Sequence, residues 1–265
     1  MSPGSTPRPQ AAVPPLLLGA CIAKFIGLAL WWFTSARATG AALFFCPDPF
    51  LLHALFAPSG QGLVRVFTRF ETTQPAVWLT IDDGPDEHDT RPILDLLDRH
   101  GAKATFFVIG ERAARHPDLI REIARRGHEV AHHTHTHPSG SFWFASTRRV
   151  ATELDATLAV LARVGVRPTR FRAPVGIKNL LLAPALAVRG LNYIGWTLRS
   201  RDSRHRTPEK LRAAVTPRLV SGSILLFHEG PSVPAAVRVK GIALLLEALA
   251  ARGLACVIPT DAQLR

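Results

Sequence analysis

The sequence predicts an α/β fold, a parallel sheet with interleaved helices, carried behind an N-terminal hydrophobic membrane segment. Three observations lead there. From about residue 62, short apolar runs alternate with helical patterns, the order that builds a parallel sheet. The polar residues that stand out fall at the C-terminal ends of those runs, where an α/β barrel carries its chemistry. Ahead of them, residues 14–60 are strongly apolar.

In chain order, 1–13 is Pro/Ser-rich and expected to be disordered. The run 14–33 (PPLLLGACIAKFIGLALWWF) matches the roughly 20 residues of a bilayer crossing. Its one charge, Lys24, would cost about 2.5–3.5 kcal/mol at mid-bilayer, which the flanking Leu, Ile and Phe content can offset. A signal peptide is the rival reading, with only Arg8 before the run and a weak cleavage site at Ser35-Ala36-Arg37-Ala38; a buried core helix is a third. A second apolar stretch, 41–57, is broken by Pro47-Asp48-Pro49, which favours a re-entrant or interfacial segment. Arg8 lies on one flank and Arg37, Arg65 and Arg69 on the other, so orientation stays open.

Strands are expected at 77–81, 104–109, 128–132, 169–172, 191–197, 223–228 and 254–258. Helices are expected at 91–100, 117–126, 146–164, 179–189, 208–219 and 237–252, entered at Asp89-Thr90 and Thr207-Pro208 and left at Gly101, Gly127, Gly190 and Gly253. The first strand, with Val77, Leu79 and Ile81 as its buried set, stops on Asp82-Asp83-Gly84-Pro85. This is ordinary turn chemistry, but two acids at a strand end can also divide the work of binding a cation and taking a proton.

The rest of the rim favours the second reading. His133 and His137 are spaced i, i+4, which one helical turn would bring to one face. With one carboxylate they make a three-ligand metal site with a position open for water. Arg172 could pair with the free aspartate and keep it ionised. His228, at the end of the buried run Ile224-Leu225-Leu226-Phe227, suits a general acid, and Asp202 would favour its protonated form. His132 and His135 are expected to point elsewhere, and His128 to be packed at a strand start.

The set Thr80-Ile81-Asp82-Asp83-Gly84-Pro85, His133-Thr134-x-x-His137-Pro138, Arg172-x-Pro174-x-Gly176 and Leu226-x-His228 resembles the polysaccharide deacetylase family, metal-dependent carbohydrate esterases related to rhizobial chitooligosaccharide deacetylases. The resemblance covers about residues 75–260. It implies a distorted (β/α)7 barrel, TIM-barrel-like, over 62–265 as the catalytic domain; the apolar residues 14–60 are read, from composition and length, as the membrane-anchoring region. It implies Asp82 as catalytic base, Asp83, His133 and His137 as metal ligands, and Arg172 as the residue holding the base. Pro174 and Trp196 would lie at the substrate, the backbone N–H of Val175 would stabilise the oxyanion, His228 would be the acid and Asp202 its partner. Val175 stands where an aromatic residue is common; Arg199 replaces an acidic residue and Ser203 an aromatic one.

The expected activity is metal-dependent removal of an N-acyl group, N-acetyl foremost, from an amino sugar of a cell-envelope glycan or glycolipid. One divalent ion is implied; the donor set favours Zn2+, with Co2+, Ni2+ or Mn2+ as alternatives. The partners are that sugar and a membrane, in a bacterial-type inner membrane with the catalytic domain periplasmic. A catalytically silent, metal-containing glycan- or membrane-binding module is the alternative, and an intact base, metal set and acid argue against it. Net charge +12 favours anionic partners, and the arginine-rich run 199–206 would suit an anionic glycan or lipid headgroups. Nucleic acid is not expected, since no nucleic-acid motif and no interleaved aromatics accompany the charge. Three cysteines, Cys21, Cys46 and Cys256, make no disulfide framework and say nothing of compartment.

Overall fold

A computed structural model describes residues 14–202, 207–230 and 234–265. Two compact units emerge, one made of 67–137, 152–172 and 194–265, the other of the N-terminal segment to Val66 together with 138–151 and 173–193.

The first unit is organised around β2 (Ala76–Gly84), which follows the short β1 (Val66–Phe67). After it come α4 (Thr90–Arg99), β3 (Ala104–Val108), α5 (Gly110–Arg115), α6 (Pro117–Arg125) and β4 (Glu129–His132). The chain continues through α7 (Thr147–Ala162), β5 (Arg170–Phe171), α8 (Leu182–Ala187, which belongs to the other unit), β6 (Asn192–Ile194) and β7 (Leu198–Arg199). It closes with α9 (Pro208–Val215), β8 (Ile224–His228), α10 (Ala235–Ala250) and β9 (Ala255–Cys256). The sheet runs β5-β4-β3-β2-β8-β7, with β6 and β1 beyond β5 and β9 pairing β2. The β2–β3, β2–β8, β3–β4, β4–β5 and β7–β8 pairs are all parallel, the curled sheet of a distorted (β/α)7 barrel.

Strand alternation then decides what faces the barrel interior. Val77, Leu79 and Ile81 pack outward with Ile93, Leu94 and Leu97 of α4 and Ile242, Leu245 and Leu249 of α10. The alternate set, Ala76 and Trp78, packs inward with Phe107, Ala131 and Ile224. Continuing that period of two puts Thr80 and Asp82 on the inner face, and likewise Leu226 and His228 of β8. The register seats Asp82 directly beside His228.

Every strand and helix expected from about residue 75 onward is present, within a few residues of its expected bounds. The additions are short: β1, β7 and α5 are each two to six residues long, too brief to leave a periodic signal.

The second unit holds α1 (Pro15–Phe33), α2 (Arg37–Phe45) and α3 (Asp48–Phe56). The break at Pro47-Asp48-Pro49 only divides α2 from α3, and together they form a second apolar stretch of 20 residues. Gly27 and Gly40 allow α1 and α2 to touch backbone to backbone; a Cβ at either would lie 2.6 Å from the other's carbonyl oxygen. Lys24 is not a bare charge. It is 2.6 Å from Asp48, donates to the Phe44 carbonyl, and lies over the Phe44 ring. Residues 1–13, expected to be disordered, lie outside the described residues.

Candidate active site

Asp82 and Asp83 are neighbours in a strand, so regular pleating would send them to opposite faces. A bulge prevents this. The β2–β3 register shifts between Asp82 and Gly84, and Asp83 takes a left-handed φ of 71°. Both carboxylates consequently approach one imidazole: Asp83 Oδ1 is 3.4 Å and Asp82 Oδ2 3.8 Å from His133 Nε2. Gly84 is required here, because a Cβ would meet the Glu229 carboxylate.

His133 and His137 do not share a helix, contrary to the i, i+4 expectation. They sit in an irregular loop after β4, with left-handed φ values at Thr134 (62°) and His137 (54°) folding it back. Their Nε2 atoms lie 3.4 and 3.3 Å from the same Asp83 oxygen. Glu153 of α7 pins the loop: it accepts the backbone N–H groups of His135 and Thr136 and the Thr136 hydroxyl at 2.6–2.9 Å. Gly110 and Glu111 N–H groups hold the Thr134 and His135 carbonyls. His133 Nδ1 faces the Arg172 carbonyl at 2.8 Å, and a carbonyl only accepts, so the ring proton sits on Nδ1. Nε2 is the ring nitrogen turned toward Asp83. As expected, His132 turns away to the Leu154 carbonyl and His128 packs against Phe106.

Arg172 is fully buried and donates on all sides, to Asp82 Oδ1 at 2.6 Å, the Thr80 hydroxyl, and the carbonyls of Ile194 and Gly195. Its guanidinium stacks on Phe107, with Trp196 5.7 Å away. Across β2, His228 Nδ1 lies 2.6 Å from Asp202 Oδ1, while Asp202 Oδ2 accepts the His228 backbone N–H. Burial pushes the His228 pKa down, but the Asp202, Asp82 and Asp83 carboxylates outweigh it and raise it to about 9. Burial pushes Asp83 up, but His133, His228 and His137 hold it well below the usual carboxylate range. Burial and then the neighbouring His133 take His137 down to about 4, keeping the ring neutral.

Asp83, His133 and His137 are the group of potential metal-binding side chains found among the described residues. Asp83 Oδ1 is buried with no hydrogen-bond partner. An orphaned carboxylate oxygen facing two imidazole nitrogens is costly unless a cation sits among them, so the donor set fits a divalent metal.

Asp82, Asp83, His133, His137, Arg172, Trp196, Asp202 and His228 therefore gather in one unit. Pro174 and Val175 belong to the other, where Val175 has a φ of 50° in a single 3-10 turn and an exposed side chain. Arg199 and Arg201 are exposed; Ser203, Arg204, His205 and Arg206 lie outside the described residues. Among the described residues, every non-glycine with a left-handed φ is an expected site residue or its neighbour: Asp83, Thr134, His137, Val175 and Arg201. Such strain, of order 1–3 kcal/mol each, persists where the surroundings over-determine it. Sequence reasoning missed Glu153, the Arg112 guanidinium donating to the Asp83 carbonyl at 2.7 Å, and buried Glu229 on Thr90. The only advance signal for Glu153 was an acid on the face of a helix that otherwise looks buried.

A metal-fitting triad lies beside a buried carboxylate and a carboxylate-paired histidine, the groups that metal-assisted hydrolysis calls for. The chain belongs to the polysaccharide deacetylase family, hydrolases of carbon–nitrogen bonds. The family's model, "Polysaccharide deacetylase", matches residues 70–194. The chain is 38% identical over 170 residues to a chitooligosaccharide deacetylase of Sinorhizobium fredii, covering 63% of this chain and 78% of that protein. It is 34% identical over 158 residues to the peptidoglycan N-acetylglucosamine deacetylase PgdA of Listeria monocytogenes, covering 59% of this chain and 33% of that one. Its structure is similar to a family 4 carbohydrate esterase from Streptomyces lividans in complex with acetate, with a TM-score of 0.65, 29% identity, and coverage of 74% and 98% respectively.

Proposed function

We propose that this protein is a metal-dependent deacylase that removes an N-acyl group, N-acetyl foremost, from an amino sugar of a cell-envelope glycan or glycolipid. The observation that carries this reading is the pairing of Asp82 with His228 at one level of adjacent strands, beside Asp83, His133 and His137. Similarity to deacetylases of chitooligosaccharides and of peptidoglycan N-acetylglucosamine supports the substrate class.

Asp83, His133 and His137 would hold the cation, Zn2+ being the ion their nitrogen and oxygen donors suit best, with Co2+, Ni2+ or Mn2+ also compatible. When bound, it supplies Lewis-acid polarisation of the acyl carbonyl and acidifies water. Asp82, ionised and fixed by Arg172, takes the proton of the attacking water as its oxygen bonds the acyl carbon. The Val175 backbone N–H is assigned to the developing oxyanion. His228, carrying its proton through its pairing with Asp202, gives that proton to the sugar nitrogen as the C–N bond breaks. A carboxylic acid and a free amine leave. Pro174 and Trp196 are assigned to sugar contact.

The membrane is the proposed location, through α1 and the α2–α3 stretch. At 1.5 Å per residue the 19 residues of α1 reach roughly 28 Å, close to the bilayer core. An inner membrane with the catalytic domain periplasmic is the assignment that suits a cell-envelope substrate.

The deciding experiment is metal-dependent acetate release from N-acetylated oligosaccharides by the full chain and by Asp82→Asn. Release should require metal and fall by about 10²–10⁴-fold in the variant. Stoichiometric metal binding with no release from any acylated or formylated amino sugar would sink the proposal.

A further inference from the structure

Among the described residues, the large apolar side chains left exposed are concentrated in the unit that contains α1–α3. Many belong to α1–α3 themselves, such as Phe33 at 86%. Others do not. Trp143 and Phe144 (60% exposed) follow the metal-site histidine His137, and Leu180 and Leu181 follow Arg172. In sequence these loops belong to the hydrolase; in space they belong to the apolar unit.

They are fastened to the end of α3. The Lys178 backbone N–H donates to the Leu55 carbonyl, and its buried ammonium to the Ala57 carbonyl at 2.6 Å. The next residue, Asn179, donates to the carbonyls of Phe142 and Ala145, binding the two loops to each other. The Trp143 ring then lies 5.5 Å from Phe56, the last residue of the second apolar stretch, and 4.9 Å from Phe144. Phe56, Trp143, Phe144, Leu180 and Leu181 thus lie on segments tied to one helix end, each exposed to water.

Charge identifies what would cover them. The segments 14–66, 138–151 and 173–193 contain seven Lys/Arg residues and one acid, Asp48, which Lys24 already holds. Arg148 and Arg149, both exposed, come just after Trp143-Phe144. Aromatic and leucine side chains above a basic border, continuous with a helix long and apolar enough to enter a bilayer, are the composition of an interfacial membrane contact. A soluble protein partner would not need the exposed apolar surface to continue into such a helix.

We propose that the loops bearing Trp143-Phe144 and Leu180-Leu181 are seated in the interface of an anionic lipid bilayer, a contact additional to the anchor. This rests on the membrane placement given above to α1. The connection length gives it functional weight. Five residues lie between His137 and Trp143, at most about 22 Å of chain, so the proposed metal site stays that near the headgroups whatever the pose of the rest. A sugar carried on a lipid would need no long tether to reach it.

The test uses the full chain in nanodiscs of phosphatidylcholine and phosphatidylglycerol, with Cys21 and Cys46 replaced by alanine. A nitroxide is attached in turn at Phe144→Cys, Leu181→Cys, Leu28→Cys in α1 and Arg125→Cys on the exposed face of α6. Collision with oxygen is compared with collision with a water-soluble nickel chelate. The proposal expects the oxygen-to-nickel ratio at 144 and 181 to exceed that at 125 severalfold and to approach that at 28. It also expects the ratio at 144 to fall when the lipid is phosphatidylcholine alone. A lipid-like signal at 28 with water-like signals at 144 and 181 overturns this inference and leaves the anchor standing. Water-like signals at all four positions overturn both. A ratio at 144 that ignores lipid charge overturns the anionic assignment.

Discussion

His228 stands between two opposed influences, burial that would strip its proton and a carboxylate pair that retains it. The Asp202 contact at 2.6 Å decides the balance, and the raised pKa of about 9 keeps the imidazole a proton donor at neutral pH. The sign follows directly. As pH rises through about 9 the donor is lost, so kcat should fall on an alkaline limb there. In Asp202→Asn the largest raising influence is gone while burial remains. The limb should move to lower pH, and kcat near pH 8 should drop by about 10²-fold. A pH–rate profile checks this, and an alkaline limb that stays in place would remove Asp202 from its assigned role. Arg172 fixes Asp82 by a 2.6 Å contact, and its loss would leave a buried carboxylate unpaired, costing about 3–5 kcal/mol. Arg172 variants therefore mix stability with activity, and Asp202 is the cleaner probe.

At the scale of elements, the site depends on two departures from regular structure, the bulge at Asp83 and the folded-back loop after β4. Glu153 holds the second by taking two backbone N–H groups and a hydroxyl. Glu153→Ala would leave the N–H groups of His135 and Thr136 without their acceptor and release His137. Metal affinity should weaken by about 10- to 100-fold, the usual cost of losing a group that orients a ligand. Competition against a chromophoric chelator measures it, and Glu153→Gln should recover part of the loss. Affinity unchanged in both variants would show that the loop is held by other means. These elements also mark where sequence reading stopped. Val77, Leu79 and Ile81 announce a buried strand because burial repeats every second residue, and Asp82 inherits its face from that repeat. His133 and His137 were legible as a pair but for a mistaken reason, since helical spacing was invoked where left-handed loop residues do the work. Glu153 left only the trace of an acid on a buried helix face, because its partners are backbone groups 17 and 18 residues away in the chain.

On the scale of the whole molecule, the apolar character that looked confined to residues 14–60 extends to two hydrolase loops. Sequence order hides this because Asn179 and Phe142 meet only after folding. The hydrolase unit has its own long-range closure, for Asp83 lies fifty residues from His133 and 54 from His137. In the unfolded chain Asp83 cannot stay beside the two histidines, so a cation binds the native state more tightly and stabilises it by mass action. At a hundredfold excess over Kd that is about 2.7 kcal/mol, worth roughly 5–10 °C in Tm for a unit of this size. Stripping the metal with a chelator should lower the Tm of the detergent-solubilised chain by that amount, and Zn2+ should restore it. Asp83→Asn should abolish the increment. A parent Tm indifferent to chelator, or an Asp83→Asn protein that still gains from Zn2+, would mean that these three residues do not form the metal site.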